Sequence, residues 1–296
     1  FRAKVPPYRV DVTREADVIE EILRIYGFNN IDVPESFNSD YLAEFPKTDV
    51  DKIQLRASEM LAAKGFFEII TNSLTKPEYA EKAENIDANL SVKILNKLSE
   101  VLGVMRQSLL YNGLEVIAYN VNRRQTDLKL FEFGKVYTGS EGKYIEKKHL
   151  GIYLTGNRIP ENWHSKTQSV DFYDLAESVK NILARFDIQS SNSSPVHHFP
   201  FEFGIELITK NKQIIATYGK VDVKLIKEFG LKQEVFFADI NWDLLLSLTN
   251  NNIEYQEVSK YPEVRRDLSL VIDKSVSYSE IQALALKSER HLLKTV

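Results

Sequence analysis

Asp11, Asp17, Glu20 and Glu21 form the densest group of chemically capable side chains in this sequence of 296 residues. Helical spacing makes Asp17 a neighbour of Glu20 and of Glu21, and Asp11, just ahead of the first turn, can fold back toward them. Four carboxylates so close repel unless a cation intervenes. A hard divalent ion such as magnesium takes oxygen ligands, although it usually uses one or two carboxylates plus water. A second reading needs no ligand: acidic residues favour helix N-termini, and Arg24 can pair with Glu20 or Glu21 on a solvated face. The residues taken alone favour this second reading.

The other candidates are weaker. His197-His198 could serve a metal or act as a base, but no carboxylate has useful spacing and Pro195 and Pro200 mark a loop, so a surface pair is expected. Tyr153, Trp163 and Trp242 are either stacking platforms or core residues, and isolated aromatics in strands are usually core. Arg123-Arg124 and Lys260 with Arg265-Arg266 are the main basic clusters, the second flanked by Glu263 and Asp267, which would neutralise it. A net charge of -4 argues against a uniformly basic surface. The absence of cysteine excludes disulfides, thiolate metal sites and cysteine nucleophiles. No Gly-rich phosphate loop follows any expected strand.

The elements that must position these residues read as follows. Thr13 is a plausible N-cap and Gly27 a stop for a helix whose Val18, Ile19, Ile22, Leu23, Ile25 and Tyr26 share one face, which is expected to pack on something. Residues 29–47 read as a connection. Helices are expected over 49–64, 109–122, 171–186 and 277–287, and strands over 66–74, 129–137, 149–155, 236–240 and 266–273. Gly204–Lys210 and Gln213–Val221 read as a hairpin turning at Asn211-Lys212. Hairpin-connected strands mixed with helices imply an α+β fold on an antiparallel sheet rather than a doubly wound parallel one. No apolar run reaches membrane-spanning length. Phe1 is not an initiator methionine and Val296 follows an apparent helix directly, so both ends read as cut from something longer.

Three stretches together carry a family resemblance. The first runs from Arg9-Val10-Asp11 through Asp17 and Glu20-Glu21 to Tyr26-Gly27-Phe28-Asn29-Asn30-Ile31. The second joins Asn96-Lys97-Leu98-Ser99-Glu100, Val104-Met105-Arg106-Gln107-Ser108-Leu109-Leu110, Asn120-Val121-Asn122-Arg123 and Phe131-Glu132-Phe133-Gly134-Lys135-Val136-Tyr137. The third is Tyr261-Pro262-Glu263-Val264-Arg265-Arg266-Asp267-Leu268-Ser269. In this order and spacing they resemble the bacterial phenylalanyl-tRNA synthetase β-subunit family over essentially the whole chain.

The resemblance implies a layout. Residues 1–34 would end a small helical domain, 40–257 would form a class II synthetase-like core, and 260–296 would begin a ferredoxin-like anticodon-binding domain. It implies a β subunit that supports ATP-dependent joining of phenylalanine to tRNA(Phe) by a catalytic α subunit, in an (αβ)2 assembly in the cytoplasm. It also reverses the weighting at Asp11, Asp17, Glu20 and Glu21, whose spacing matches the family's magnesium positions, shared with the α subunit. ATP would be used by the α subunit. Editing belongs to domains that precede these residues in the family, and no RNA-binding residue can be assigned.

The second stretch looks like a degraded second class II motif. In active enzymes such a strand ends in an arginine that grips the α-phosphate of ATP. Here it ends Val136-Tyr137-Thr138, with Lys143 beyond a glycine-containing turn, and the place of the arginine-bearing third motif reads FADINWDLLL from Phe237. No catalytic residue is expected. The helix over 49–64 would occupy the place of the dimerisation motif and bury Ile53, Met60 and Leu61 against the α subunit. Two rivals remain: a non-enzymatic interaction module derived from the same fold, and an independently active ligase.

Overall fold

A computed structural model describes residues 2–33, 48–83, 86–97, 99–140, 142–188, 192–249, 255, 257 and 260–296. The chain divides into two compact units, residues 1–250 and 251–296. The expected boundary at 34–40 lies outside the described residues, as does most of the one between 257 and 260.

In the first unit the order is α1 (Glu15–Tyr26), α2 (Val50–Ala63), β1 (Phe67–Glu68), β2 (Leu74–Thr75), α3 (Pro77–Lys82), β3 (Val104–Met105) and α4 (Leu110–Val121). Then follow β4 (Leu128–Ser140), β5 (Lys143–Thr155), α5 (Phe172–Arg185), β6 (Asn192–Val196), β7 (Phe201–Ile208), β8 (Ile214–Val221), α6 (Val223–Glu228), β9 (Val235–Asn241) and α7 (Trp242–Leu248). Among the described residues seven strands form one sheet in the order β1-β4-β5-β9-β8-β7-β6, antiparallel throughout except for the short β1 running parallel to β4 at one edge. The antiparallel α+β expectation therefore holds, and β9 is central as its run of apolar residues implies.

Alternation along the strands splits the core in two. Phe131, Ile152, Leu154, Ala238 and Ile240 face one side, under α2, α5 and α7. Leu130, Tyr153, Val235 and Phe237 face the other, under α4 and α6. Helix α5 shows how sequence sets this: the Asp171 carboxylate accepts from the Tyr173 and Asp174 amides, fixing the start, and Leu175, Val179, Ile182 and Leu183 then fall on the buried face. Helix α2 begins with Asp49 accepting from the Lys52 amide at 3.0 Å and ends before Gly65, whose φ of 83° suits glycine.

Three expectations need correction. Residues 66–74 are not one strand: after β1 the Thr71 amide donates to the Glu132 carboxylate at 3.2 Å, so the chain leaves the sheet, and β2 pairs separately with β3. Helix α1 buries none of its residues, with Ile22 and Ile25 exposed; the stretch before it contains only turns and offers no element to pack on. In the second unit the helix α8 (Tyr278–Ser288) is present, capped by Ser277 and Glu280, but residues 266–273 form no strand. An alternating segment needs a neighbour to complete its ladder, and none of the described residues of this unit supplies one. No helix among the described residues is long and apolar enough to cross a membrane.

Candidate functional site

The acidic cluster is built on α1 and the turn before it. Asp17 occupies the third position of the helix and accepts from the backbone amides of Arg14 at 2.8 Å and Thr13 at 3.0 Å. The N-cap is thus Arg14 rather than Thr13, with Asp17 closing the first turn. Those amides, with the Arg14 side chain, hold the Asp17 carboxyl down to about 2.

Asp11 is linked to the helix through an intermediary, at Glu21 rather than at the first turn. Arg9 grips Asp11 with two nitrogens, Nε at 3.0 Å and Nη2 at 2.8 Å, and the same Nη2 donates to Glu21 at 2.8 Å. Glu21 also accepts from Arg24 at 3.1 Å, the pairing foreseen from helical spacing. Arg9 is the first cause holding both the Asp11 and Glu21 carboxyls below their ordinary range. Glu20 is exposed beside them. The oxygen donors suit a hard cation by chemistry, yet a guanidinium stands where Asp11 and Glu21 converge, and Asp17 is turned to backbone amides. Among the described residues no three His, Cys, Asp or Glu side chains converge on a point that could hold a metal. As arranged, these residues do not fit a bound divalent ion. Sequence reading missed Arg9, although its place two residues before Asp11 was the available signal.

The second candidate lies on the sheet. Thr138 pairs with Ile145 near the end of the β4–β5 hairpin, and the FADINWDLLL stretch is the end of β9 followed by α7, with Asn241 capping the helix and Trp242 fully buried. Neither place carries an arginine. The arginine of the second stretch, Arg106, is 3% exposed and wholly engaged: it donates to Glu132 at 2.9 Å, to Thr71 Oγ1 at 2.5 Å and to the Lys135 carbonyl at 2.9 Å. Such a guanidinium cannot turn to a phosphate.

Space is also closed. The Tyr153 ring lies fully buried over the sheet, its hydroxyl donating to the Leu109 carbonyl at 2.8 Å, and it presses so close to Gly113 that a Cβ there would stand 2.1 Å from the ring. The neighbouring cavity, lined by Thr75, Arg106 and Asn112 among others, measures about 10 Å³. That is room for a water and far below what a nucleotide or amino acid requires. A wider surface cleft of about 740 Å³ is bordered by Glu78, Glu115 and Glu228 against Lys76, the one cation among its described residues, which is paired with Glu115, so its net charge is negative and disfavours phosphate.

The remaining candidates are placed plainly. His197 and His198 are exposed, and Trp163 is exposed in a loop, whereas Tyr153 and Trp242 are core. Arg123 stacks on the Tyr119 ring at 3.4 Å. Lys260, Arg265 and Arg266 are exposed, and Glu263 pairs with Lys294 rather than with that cluster. A polar pair that sequence reading passed over is His149 Nδ1 with Asp239 at 2.6 Å, on adjacent strands two residues out of register. Burial disfavours the charged imidazole, but the Asp239 carboxylate outweighs it and raises the His149 pKa.

Sequence comparison supplies the remaining observation. The profile of the phenylalanyl tRNA synthetase beta chain CLM domain matches residues 33–242, and that of the tRNA synthetase B5 domain matches residues 1–28. The chain belongs to the phenylalanyl-tRNA synthetase β-chain family. Relatives named phenylalanine–tRNA ligase β subunit are 40% identical in Bacteroides thetaiotaomicron and 35% identical in Porphyromonas gingivalis, each over 99% of the chain. The chain spans 37% of the length of these relatives. The fold is also similar to that of a pyrrolysyl-tRNA synthetase from Desulfitobacterium hafniense. Its structure covers 69% of this chain and 73% of its own with a TM-score of 0.51 at 14% identity.

Proposed function

We propose that this chain is the non-catalytic core of a phenylalanine–tRNA ligase β subunit, which supports the ATP-dependent attachment of phenylalanine to tRNA(Phe) by a catalytic α subunit. The observation that carries this reading is the closed sheet face: strand β4 carries Thr138 and no arginine, Arg106 is spent on Glu132, and the Tyr153 ring fills the space over the sheet. What such a core can still offer is surface.

Sequence reading gave Ile53, Met60 and Leu61 of α2 to the α subunit, but Ile53 and Leu61 are buried in the chain's own core and Met60 packs against it. Among the exposed apolar residues of this part of the chain are Val50 and Leu55 on α2, Phe67 on β1 and Ile70 just beyond it, the last 93% exposed. Strand β1 is an edge of the sheet, and an uncovered apolar edge is what a permanent partner covers. We assign this edge to the α subunit, in an (αβ)2 assembly acting in the cytoplasm. The magnesium reading of Asp11, Asp17, Glu20 and Glu21 is not carried forward, because Arg9 stands where Asp11 and Glu21 converge and Asp17 is turned to backbone amides. Contacts to tRNA are left to other parts of the subunit.

The test is phenylalanine-dependent pyrophosphate exchange. The chain alone should give none, and the full-length subunit mixed with its α subunit should give robust exchange. Exchange by the chain alone would sink the non-catalytic reading. Failure of the full-length subunit to bind α, or undiminished binding after Phe67→Asp with Ile70→Asp, would sink the assignment of the edge.

A further inference from the structure

Strand β1 pairs with β4 at Phe67 and Leu130, and β5 pairs with β4 from the other side, ending with Thr155 opposite Leu128. With strands about 4.8 Å apart and residues about 3.4 Å apart along each, the end of β5 lies on the order of 12 Å from Phe67. The chain leaves β5 there into a loop over residues 156–170. Backbone hydrogen bonds close its base, from Arg158 to the Gln168 carbonyl at 2.8 Å and from Val170 to the Gly156 carbonyl at 2.9 Å. Asn162 shapes its tip, because its carboxamide oxygen accepts from the His164 and Ser165 amides, both at 2.9 Å. Side chains tie the same corner together. Lys64 at the end of α2 pairs with Glu177 of α5 at 2.8 Å, and one turn earlier on α5 Asp174 holds Arg158 at 2.8 Å.

Trp163 stands at the tip of this loop, 95% exposed, and its ring contact among the described residues is with the edge of exposed His164 at 5.4 Å. An indole is the largest apolar group a chain can offer, and one held out on a preformed turn loses little freedom when a partner covers it. The loop has no excess of positive charge for a nucleic acid backbone: Arg158 is spent on Asp171 and Asp174, and Glu161 and Lys166 cancel. Phe67 on β1 and Tyr173 in the first turn of α5 are exposed at the same corner. A near-neutral apolar surface built around a protruding indole fits a pocket in another protein.

We infer that Trp163 anchors a docking surface that continues the β1 edge across this corner to Tyr173, and that the α subunit covers it by taking the indole into an apolar pocket. The inference rests on the assignment of the β1 edge to the α subunit. It adds the residue on which the affinity is concentrated.

Hydroxyl-radical footprinting read by mass spectrometry tests this in the full-length subunit, alone and complexed with its α subunit. Trp163 should oxidise readily in the subunit alone and at least about tenfold more slowly in the complex. Trp163→Ser should weaken association with α at least about thirtyfold, as loss of a central aromatic anchor does, and Trp163→Phe should recover part of that. Unchanged circular dichroism should show that the fold persists in both variants, since the ring is outside the core. Equal oxidation in the two states, or unchanged association of Trp163→Ser, would overturn the inference. If Phe67→Asp with Ile70→Asp still weakened association, the edge assignment would stand without it; if neither change weakened association, both would fall. Protection already complete in the subunit alone would give the indole to another part of that subunit or to a second copy. Protection that appears only on adding tRNA would give it to RNA. Either result would overturn the inference.

Discussion

Removing the Arg106 side chain tests whether the surviving motif is architecture. Arg106 and Glu132 are each about 3% exposed and joined at 2.9 Å, with Thr71 and the Lys135 carbonyl completing the guanidinium's partners. Arg106→Met keeps most of the volume but leaves the Glu132 carboxylate buried without a cation. Breaking a buried pair from one side costs about 3–5 kcal/mol. Thr71 still donates to Glu132 through its hydroxyl and its amide, so the lower end of that range is expected. Pairing the change with Glu132→Leu removes the orphaned charge, and the double variant should recover at least about half of the loss, because an apolar pair of similar volume can replace a buried ion pair at little cost. Urea unfolding followed by tryptophan fluorescence reads this directly: Trp242 is fully buried and reports the core, while exposed Trp163 contributes a nearly constant signal. A cost below about 1 kcal/mol for Arg106→Met, the value of an exposed pair, would refute the reasoning. So would a double variant less stable than the single one.

Gly113→Ala should destabilise the chain although alanine gains about 1 kcal/mol in a helix interior. The new Cβ would lie 2.1 Å from a Tyr153 ring pinned by its hydrogen bond to Leu109, and overpacking of this kind costs about 1–3 kcal/mol or more; an unchanged urea midpoint would contradict the packing described. The His149–Asp239 pair should make stability pH-dependent with a defined sign. Since the folded-state pKa of His149 is raised above 6.5, its contribution is complete below about that value and is lost as pH climbs through the folded value. Asp239→Asn should lower the His149 titration midpoint seen by NMR, and an unmoved midpoint would exclude the pairing.

Much of the sheet was legible because its strands alternate and its hairpins carry their own turn signals: β4 and β5 extend the expected strands in register, and the expected turn at Asn211-Lys212 forms, with Lys212 in the left-handed conformation. Capped helices were equally legible, since Asp49, Asp171 and Ser277 announce their starts. What stayed hidden depends on partners distant in sequence. Nothing near Thr71 says that its amide will serve Glu132, so the break after β1 could not be read. Helix periodicity identifies an apolar face but not which part of it the chain itself will cover, and the two outcomes are opposite in α1 and α2. The acidic cluster was legible as a cluster, but its geometry turned on a basic residue that lies outside it.

The second stretch has a structural job whatever its likeness to a class II motif. Arg106, Glu132 and Gly134 read as remnants of a catalytic motif, yet each is needed for packing: the ion pair fastens the segment before α4 to β4, and a Cβ at Gly134 would stand 2.4 Å from the Arg106 guanidinium. Thr138 lies further along the same strand, where its side chain is only partly buried and fastens no element, so an arginine there could be lost at little cost to the fold. Filling the space over the sheet with Tyr153 follows the same logic, since an empty apolar cavity destabilises a protein in proportion to its volume, whereas a ring seated on Gly113 adds contacts. Restoring an arginine alone, by Thr138→Arg, should therefore leave the chain unable to exchange pyrophosphate, because the site it would serve has no room for a nucleotide. Exchange by that single variant would mean that the closed face opens far more readily than its packing implies.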